Sequence, residues 1–165
     1  MVRLSEIRPG ERAVEMPPAK DAGLIFIGRI RTPWTNRLRC PRQGRLDGPI
    51  CRLEFDPLWF DGLDGLAAYE KLEVLYWLDR ARRDLVRQSP KSDGTGRGVF
   101  SLRSPVRPNP IGTSLAMLVA IEGSTVLVRG LDCLDGTPLL DLKPERSSFV
   151  PPAPAQAGDF QVGGA

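Results

Sequence analysis

Thr113-Ser114-Leu115-Ala116-Met117-Leu118-Val119-Ala120-Ile121, followed by Glu122-Gly123-Ser124 and Thr125-Val126-Leu127-Val128-Arg129-Gly130-Leu131, decides the fold. Two apolar runs rich in β-formers flank a short polar segment with a central glycine, which reads as a β-hairpin. Working outward, Leu24 to Arg31 reads as a first strand, and Ile50 to Phe55 as a short one with Leu53 and Phe55 alternating against Arg52 and Glu54. Leu72 to Leu78 is a buried strand interrupted only by Glu73. Val99-Phe100 reads as strand, and Pro138 to Leu142 as the last strand, with Leu140 and Leu142 opposite Leu139 and Asp141.

Helix signals are few. Asp56-Pro57 supplies an N-cap and a first helical residue, and Gly62 and Gly65 keep that helix short. Leu78, Ala81 and Leu85 stand at helical spacing and predict a second short helix around Asp79 to Gln88. Ser89 to Gly98, with Pro90, Gly94, Gly96 and Gly98, reads as a flexible loop. It is not a nucleotide fingerprint, because no strand precedes it and no helix follows. Six or so strands with little helix argue for an all-β fold, a mainly antiparallel β-barrel with one or two short helices. The βαβ rhythm of a doubly wound sheet is missing. The expected organisation is an extended N-terminal arm over 1–22, a barrel domain over 23–149 and a disordered tail over 150–165.

A chain of 165 residues has room for one domain with a real core. No apolar run approaches the roughly 20 residues of a membrane-spanning helix, and Met1 to Gly10 lacks the apolar stretch of a signal peptide. These readings point to a cytoplasmic protein. Cys40, Cys51 and Cys133 are widely spaced and the chain has no histidine, so the usual zinc ligand sets are missing and no metal is expected. Cys40 beside Pro41 is read as a packing thiol, with a reactive thiol as the alternative.

Charge is segregated. Residues 29–45 hold Arg29, Arg31, Arg37, Arg39, Arg42 and Arg45 and no acid, residues 46–79 are strongly acidic, and residues 80–107 are strongly basic. Two basic blocks that met in space would make a footprint for phosphates, and arginine, much preferred here over lysine, binds them bidentately. The plain alternative pairs these arginines with the acidic middle.

One connection stands out: Arg103-Ser104-Pro105-Val106-Arg107-Pro108-Asn109-Pro110-Ile111-Gly112. Its prolines fix φ, remove donors and push Ser104, Arg107 and Asn109 toward extended backbone. A stiff loop carrying Arg and Asn suits an anionic or amide-bearing ligand, and serves equally as a stiffened strand connection.

This loop resembles the signature of the TrmO/TsaA-like family of S-adenosylmethionine-dependent tRNA methyltransferases. Three further segments resemble family elements in the same order: Ile27 to Trp34, Cys40-Pro41-Arg42-Gln43-Gly44, and Leu131 to Pro144 with its Asp-Gly-Thr-Pro core. The resemblance implies a β-barrel that binds S-adenosyl-L-methionine, works as a homodimer and acts on the threonylcarbamoyl adenosine next to the tRNA anticodon. It places the cofactor against Pro41, Arg42, Gln43, Arg103, Thr113, Leu134, Asp135, Gly136 and Thr137. It adds a pair at the end of the central strand, here Asp79 and Arg80.

The chemistry of these residue types agrees. Arginine suits the cofactor carboxylate, aspartate accepts two hydrogen bonds from a ribose diol, and backbone amides can read an adenine edge. The chain departs from the family where it usually has histidine: Asp79 and Val106 stand there instead. Glu145 replaces the usual tyrosine after Lys143-Pro144, and Glu73 a usual aromatic. No catalytic residue is assigned from the sequence. A different methyl acceptor, or a cofactor-binding regulatory module, are the alternatives. The extra C-terminal domain of longer family members is not expected.

Overall fold

The computed structural model describes residues 6–18, 23–91 and 93–145. Its strands, numbered in chain order, are β1 (Arg12–Ala13), β2 (Gly28–Arg31), β3 (Cys51–Phe55), β4 (Lys71–Trp77), β5 (Leu85–Gln88), β6 (Arg97–Gly98), β7 (Ile111–Glu122), β8 (Thr125–Arg129) and β9 (Thr137–Pro144). Six of them close a barrel in the order β2-β3-β8-β7-β4-β9, with every neighbouring pair antiparallel. The expected all-β barrel is what the chain forms. The tail from Val150 to Ala165 and parts of the N-terminal arm lie outside the described residues.

The barrel closes because its strands alternate. Ile30, Leu53, Leu72, Val74, Val126, Val128 and Leu139 point inward and are fully buried. Each contributes about 1.5–3 kcal/mol relative to leaving that side chain in water. The hairpin of β7 and β8 turns at Gly123-Ser124, within the segment read from sequence. The outward residues divide the wall by chemistry. β2 and β3 show Arg29, Arg31, Arg52 and Glu54, whereas Ile111, Leu115 and Val119 of β7 are exposed apolar side chains.

Three expectations are corrected. Ser89 to Gly98 follows strand β5 directly and ends in strand β6, which pairs back onto it. Asp79 to Gln88 is not a helix: it turns at Asp79-Arg80 and ends in strand β5. β5 lies between β1 and β6 in a separate three-stranded sheet, and the Val14 amide donates to the Asp84 carbonyl at 2.8 Å. The backbone partners come from the N-terminal arm and from Arg97–Gly98, so the helical spacing of Leu78, Ala81 and Leu85 had no bearing on the outcome. Leu85 is fully buried all the same. Nor is Val99-Phe100 a strand. Val99–Ser101 is a 3-10 turn that buries Val99 and leaves Phe100 out. The helix after Asp56 forms over Pro57–Leu63 with Pro57 in its first turn, but it is 3-10 and Asp56 makes no side-chain cap bond.

Candidate functional site

Because all six barrel strands alternate in direction, every connection belongs to one of two ends. β4 finishes where β7, β9 and β3 start and where β2 and β8 finish. At that end lie three connections, 32–50, 78–110 and 130–136. They carry Pro41, Arg42, Gln43, Asp79, Arg80, Arg103, Leu134, Asp135 and Gly136; Thr113 and Thr137 sit in the first residues of β7 and β9. The topology thus gathers every sequence-selected residue at one end of the barrel.

Local contacts fix these segments. The connection after β2 lies on the end of β8 so closely that a Cβ on Gly44 would sit 1.7 Å from the Gly130 carbonyl oxygen; only glycine permits that approach. Cys40 Sγ donates to the Asp132 carbonyl at 3.1 Å. Asp135 Oδ1 accepts from the Thr32 amide at 3.1 Å, and the Asp135 amide donates to the Trp34 carbonyl at 2.8 Å. Pro41-Arg42-Gln43 and Leu134–Thr137 are therefore held by one interlocked pair of connections. Arg42 and Gln43 are exposed.

The proline-rich connection braces itself. Arg107 donates to the carbonyls of Ser104, Leu102 and Val99, so it shapes the loop rather than facing outward. Arg103 stays exposed, with one long contact of 3.4 Å to the Thr113 carbonyl. Thr113 is on the outer face of β7, opposite Leu75. Asp79 and Arg80 are exposed beside the start of β7, where the Leu78 amide bonds the Pro110 carbonyl at 2.9 Å. Asp135 takes Arg31 as its cation, at 3.8 Å. Among the described residues no hydrogen bond or ion pair joins Arg103 to the Leu134–Thr137 turn.

Sequence reading missed one cluster. Tyr76 from β4 and Ser114 from β7 both point inward at this end, and Asp132 from the connection after β8 reaches them. Tyr76 Oη donates to Asp132 Oδ1 at 2.6 Å, and Ser114 Oγ donates to the same oxygen at 2.8 Å. Burial, reinforced by the Asp132 charge, pushes the Tyr76 phenol well above its usual range, so it is a proton donor at any physiological pH. The available signal was the polar phase of Ser114 and Asp132 within otherwise apolar runs.

Electrostatics polarise the barrel. The connection 56–70 at the opposite end carries Asp56, Asp61, Asp64 and Glu70 and no Lys or Arg. Both basic blocks share the other end. Some of their arginines are neutralised: Arg31 by Glu54, Arg45 by Asp47 and Arg82 by Asp84. Arg37, Arg39, Arg42, Arg80 and Arg97 have no ion pair among the described residues. The acidic middle therefore absorbs only part of the basic rim.

The thiols are not activated. Burial raises Cys51 to about 11, and burial together with Asp132 raises Cys40. Cys133 is pushed up the same way. Among the described residues no group of acids and cysteines is placed to hold a metal, and no helix is long and apolar enough to cross a membrane.

A family model for the tRNA-methyltransferase O N-terminal domain matches residues 29–149. The chain belongs to this family. It is 53% identical over 152 residues to the probable S-adenosyl-L-methionine-binding protein VirR of Rhizobium radiobacter, covering 92% of this chain and 87% of that protein. It is 49% identical over 65 residues to the tRNA (adenine(37)-N6)-methyltransferase of Mus musculus, covering 39% of this chain and 15% of that one. The crystal structure of TrmO from P. aeruginosa superposes with a TM-score of 0.64 at 32% identity, covering 86% of this chain. The chain spans 61% of the length of that solved structure.

Proposed function

We propose that this chain is an S-adenosylmethionine-dependent methyltransferase that modifies tRNA, and that its acceptor is the exocyclic nitrogen of the threonylcarbamoyl adenosine beside the anticodon. The observation that carries this reading is the convergence of the cofactor-type residues on the basic end of the barrel. The residues there fit the cofactor chemically. Arg42, Gln43, Arg80 and Arg103 are exposed and carry donors that protein partners leave largely uncommitted. Asp135 is held in place by the Thr32 amide and retains accepting capacity for a diol.

The cofactor supplies an electrophilic methyl group on a sulfonium. In our reading the chain's part is to bind and orient. Arg103 holds the carboxylate, Asp135 the ribose, and the Leu134–Thr137 backbone the adenine edge, with Pro41-Arg42-Gln43 and Asp79-Arg80 closing the site. Arg37, Arg39 and Arg97, lacking acidic partners among the described residues, hold tRNA phosphates. The exposed apolar face of Ile111, Leu115 and Val119 is the surface for a second copy of the chain, adjoining Thr113.

Incubation with tRNA lacking the methyl group and a deuterium-labelled cofactor, followed by nucleoside mass spectrometry, tests the reading. Label on the threonylcarbamoyl adenosine supports it. Label on another nucleoside moves the acceptor, and no label on any nucleoside refutes it.

A further inference from the structure

Methylating an N–H group leaves a proton to be removed, and the chain has no histidine to take it. The carboxylates carried by the three connections at the basic end are Asp47, Asp79, Asp84, Asp93, Asp132 and Asp135. Asp47 is ion-paired to Arg45, Asp84 to Arg82, and Asp135 to Arg31. Asp93 caps the Thr95 amide in an exposed loop, and Asp79 is exposed in a turn. Asp132 differs from all of these. It is half-buried, it has no cation among the described residues, and two hydroxyls from two different strands anchor one of its oxygens. No described residue donates to the other oxygen, Oδ2. Its main chain holds Cys40, the residue before Pro41-Arg42-Gln43.

We propose that Asp132 is the catalytic proton acceptor of the methyl transfer, offering Oδ2 to the N–H of the acceptor while Tyr76 and Ser114 hold Oδ1. This rests on the methyltransferase reading above. The nitrogen lone pair forms the new N–C bond as the C–S bond breaks and its electron pair stays on sulfur. The proton on nitrogen passes to Asp132. Bond formation makes that nitrogen strongly acidic, so a carboxylate is basic enough and its placement matters more than its basicity. Anchoring supplies that placement: both donors lie on barrel strands, so Oδ1 cannot swing away. The titratable groups facing the carboxylate are Tyr76 from β4, Cys40 from the connection after β2, and Cys133 beside it. Tyr76 and Cys133 are driven to their neutral forms by burial, and burial also raises Cys40.

The test is Asp132→Asn in the full chain, which keeps an oxygen for Tyr76 and Ser114 to bond. Tyr76→Phe is the second variant. Single-turnover methylation of tRNA, its pH profile, cofactor binding by calorimetry and thermal unfolding are measured for each. For Asp132→Asn the rate should fall by about a hundredfold or more, the acid limb of the pH profile should vanish, and cofactor affinity should stay within about threefold. Tyr76→Phe should slow transfer without losing the cofactor. An Asp132→Asn protein that folds, binds cofactor and transfers methyl within about threefold of the parent overturns the assignment alone. A parent protein that methylates no tRNA overturns the methyltransferase reading and this assignment together.

Discussion

Gly112 lies directly against the ring of Tyr76. A Cβ built on Gly112 would come within 2.1 Å of Tyr76 Cε2, and the two residues face each other across β7 and β4. The ring that presents its hydroxyl to Asp132 can take this position only because the facing residue has no side chain. We therefore expect Gly112→Ala to destabilise the fold by about 1–3 kcal/mol through overpacking. It should also displace the Tyr76 hydroxyl from Asp132. Urea unfolding gives the first effect; a blunted near-ultraviolet tyrosine signal gives the second.

Arg82 ties the N-terminal arm to the small sheet. Its side chain is 6% exposed, it bonds Asp84 at 2.5 and 2.9 Å, and it donates to the Glu6 carbonyl. Charge reversal here would disrupt the fold before it tested RNA binding, although the sequence alone makes Arg82 look like one more member of a basic run. Arg82→Met should cost about 2 kcal/mol, since charge-assisted bonds are lost and Asp84 and the Glu6 carbonyl lose their donor. The hydrogen bonds from Arg82 hold the Asp84 carboxyl below its ordinary value. With the folded value depressed, the stability linked to this pair is present above about pH 4 and lost as pH falls through the folded value. The stability gap between parent and variant should therefore narrow in strong acid, leaving the share owed to the Glu6 carbonyl, which unfolding curves at stepped pH will show.

The barrel was legible where each strand carries its own pattern. Leu72 to Leu78 alternates around a buried core, and the hairpin turns at Gly123-Ser124. It was illegible where the partner is remote. β5 is a strand because β1 and β6 flank it, and nothing within Asp79 to Gln88 announces that. For the site, motif order marked the segments, and the antiparallel topology brings them to one end. Asp132 escaped notice because its role depends on Tyr76 and Ser114, which lie 56 and 18 residues away in sequence. The Arg107 brace was hidden for a similar reason: as a residue type it is indistinguishable from the exposed Arg103.

Binding of tRNA should depend steeply on salt, because phosphate neutralisation releases counterions. Arg37→Glu and Arg39→Glu should weaken it and flatten the salt slope, since neither residue has an acidic partner among the described residues. Lys71→Glu is the control, because Lys71 opens β4 at the opposite end of the barrel. Filter binding across a salt series distinguishes the two groups. Equal effects at all three positions would remove the basic rim from the account.

The central claim is that the cofactor binds at the basic end of the barrel. Calorimetry with S-adenosylmethionine on the parent, on Gln43→Ala and Arg103→Ala, and on Leu58→Ala and Glu70→Ala from the opposite end tests it most directly. The account predicts binding by the parent, a loss of about tenfold or more in the first two variants, corresponding to about 1.4 kcal/mol each, and no change in the last two. Parent-like affinity in Gln43→Ala and Arg103→Ala, or a loss confined to the opposite end, would contradict it.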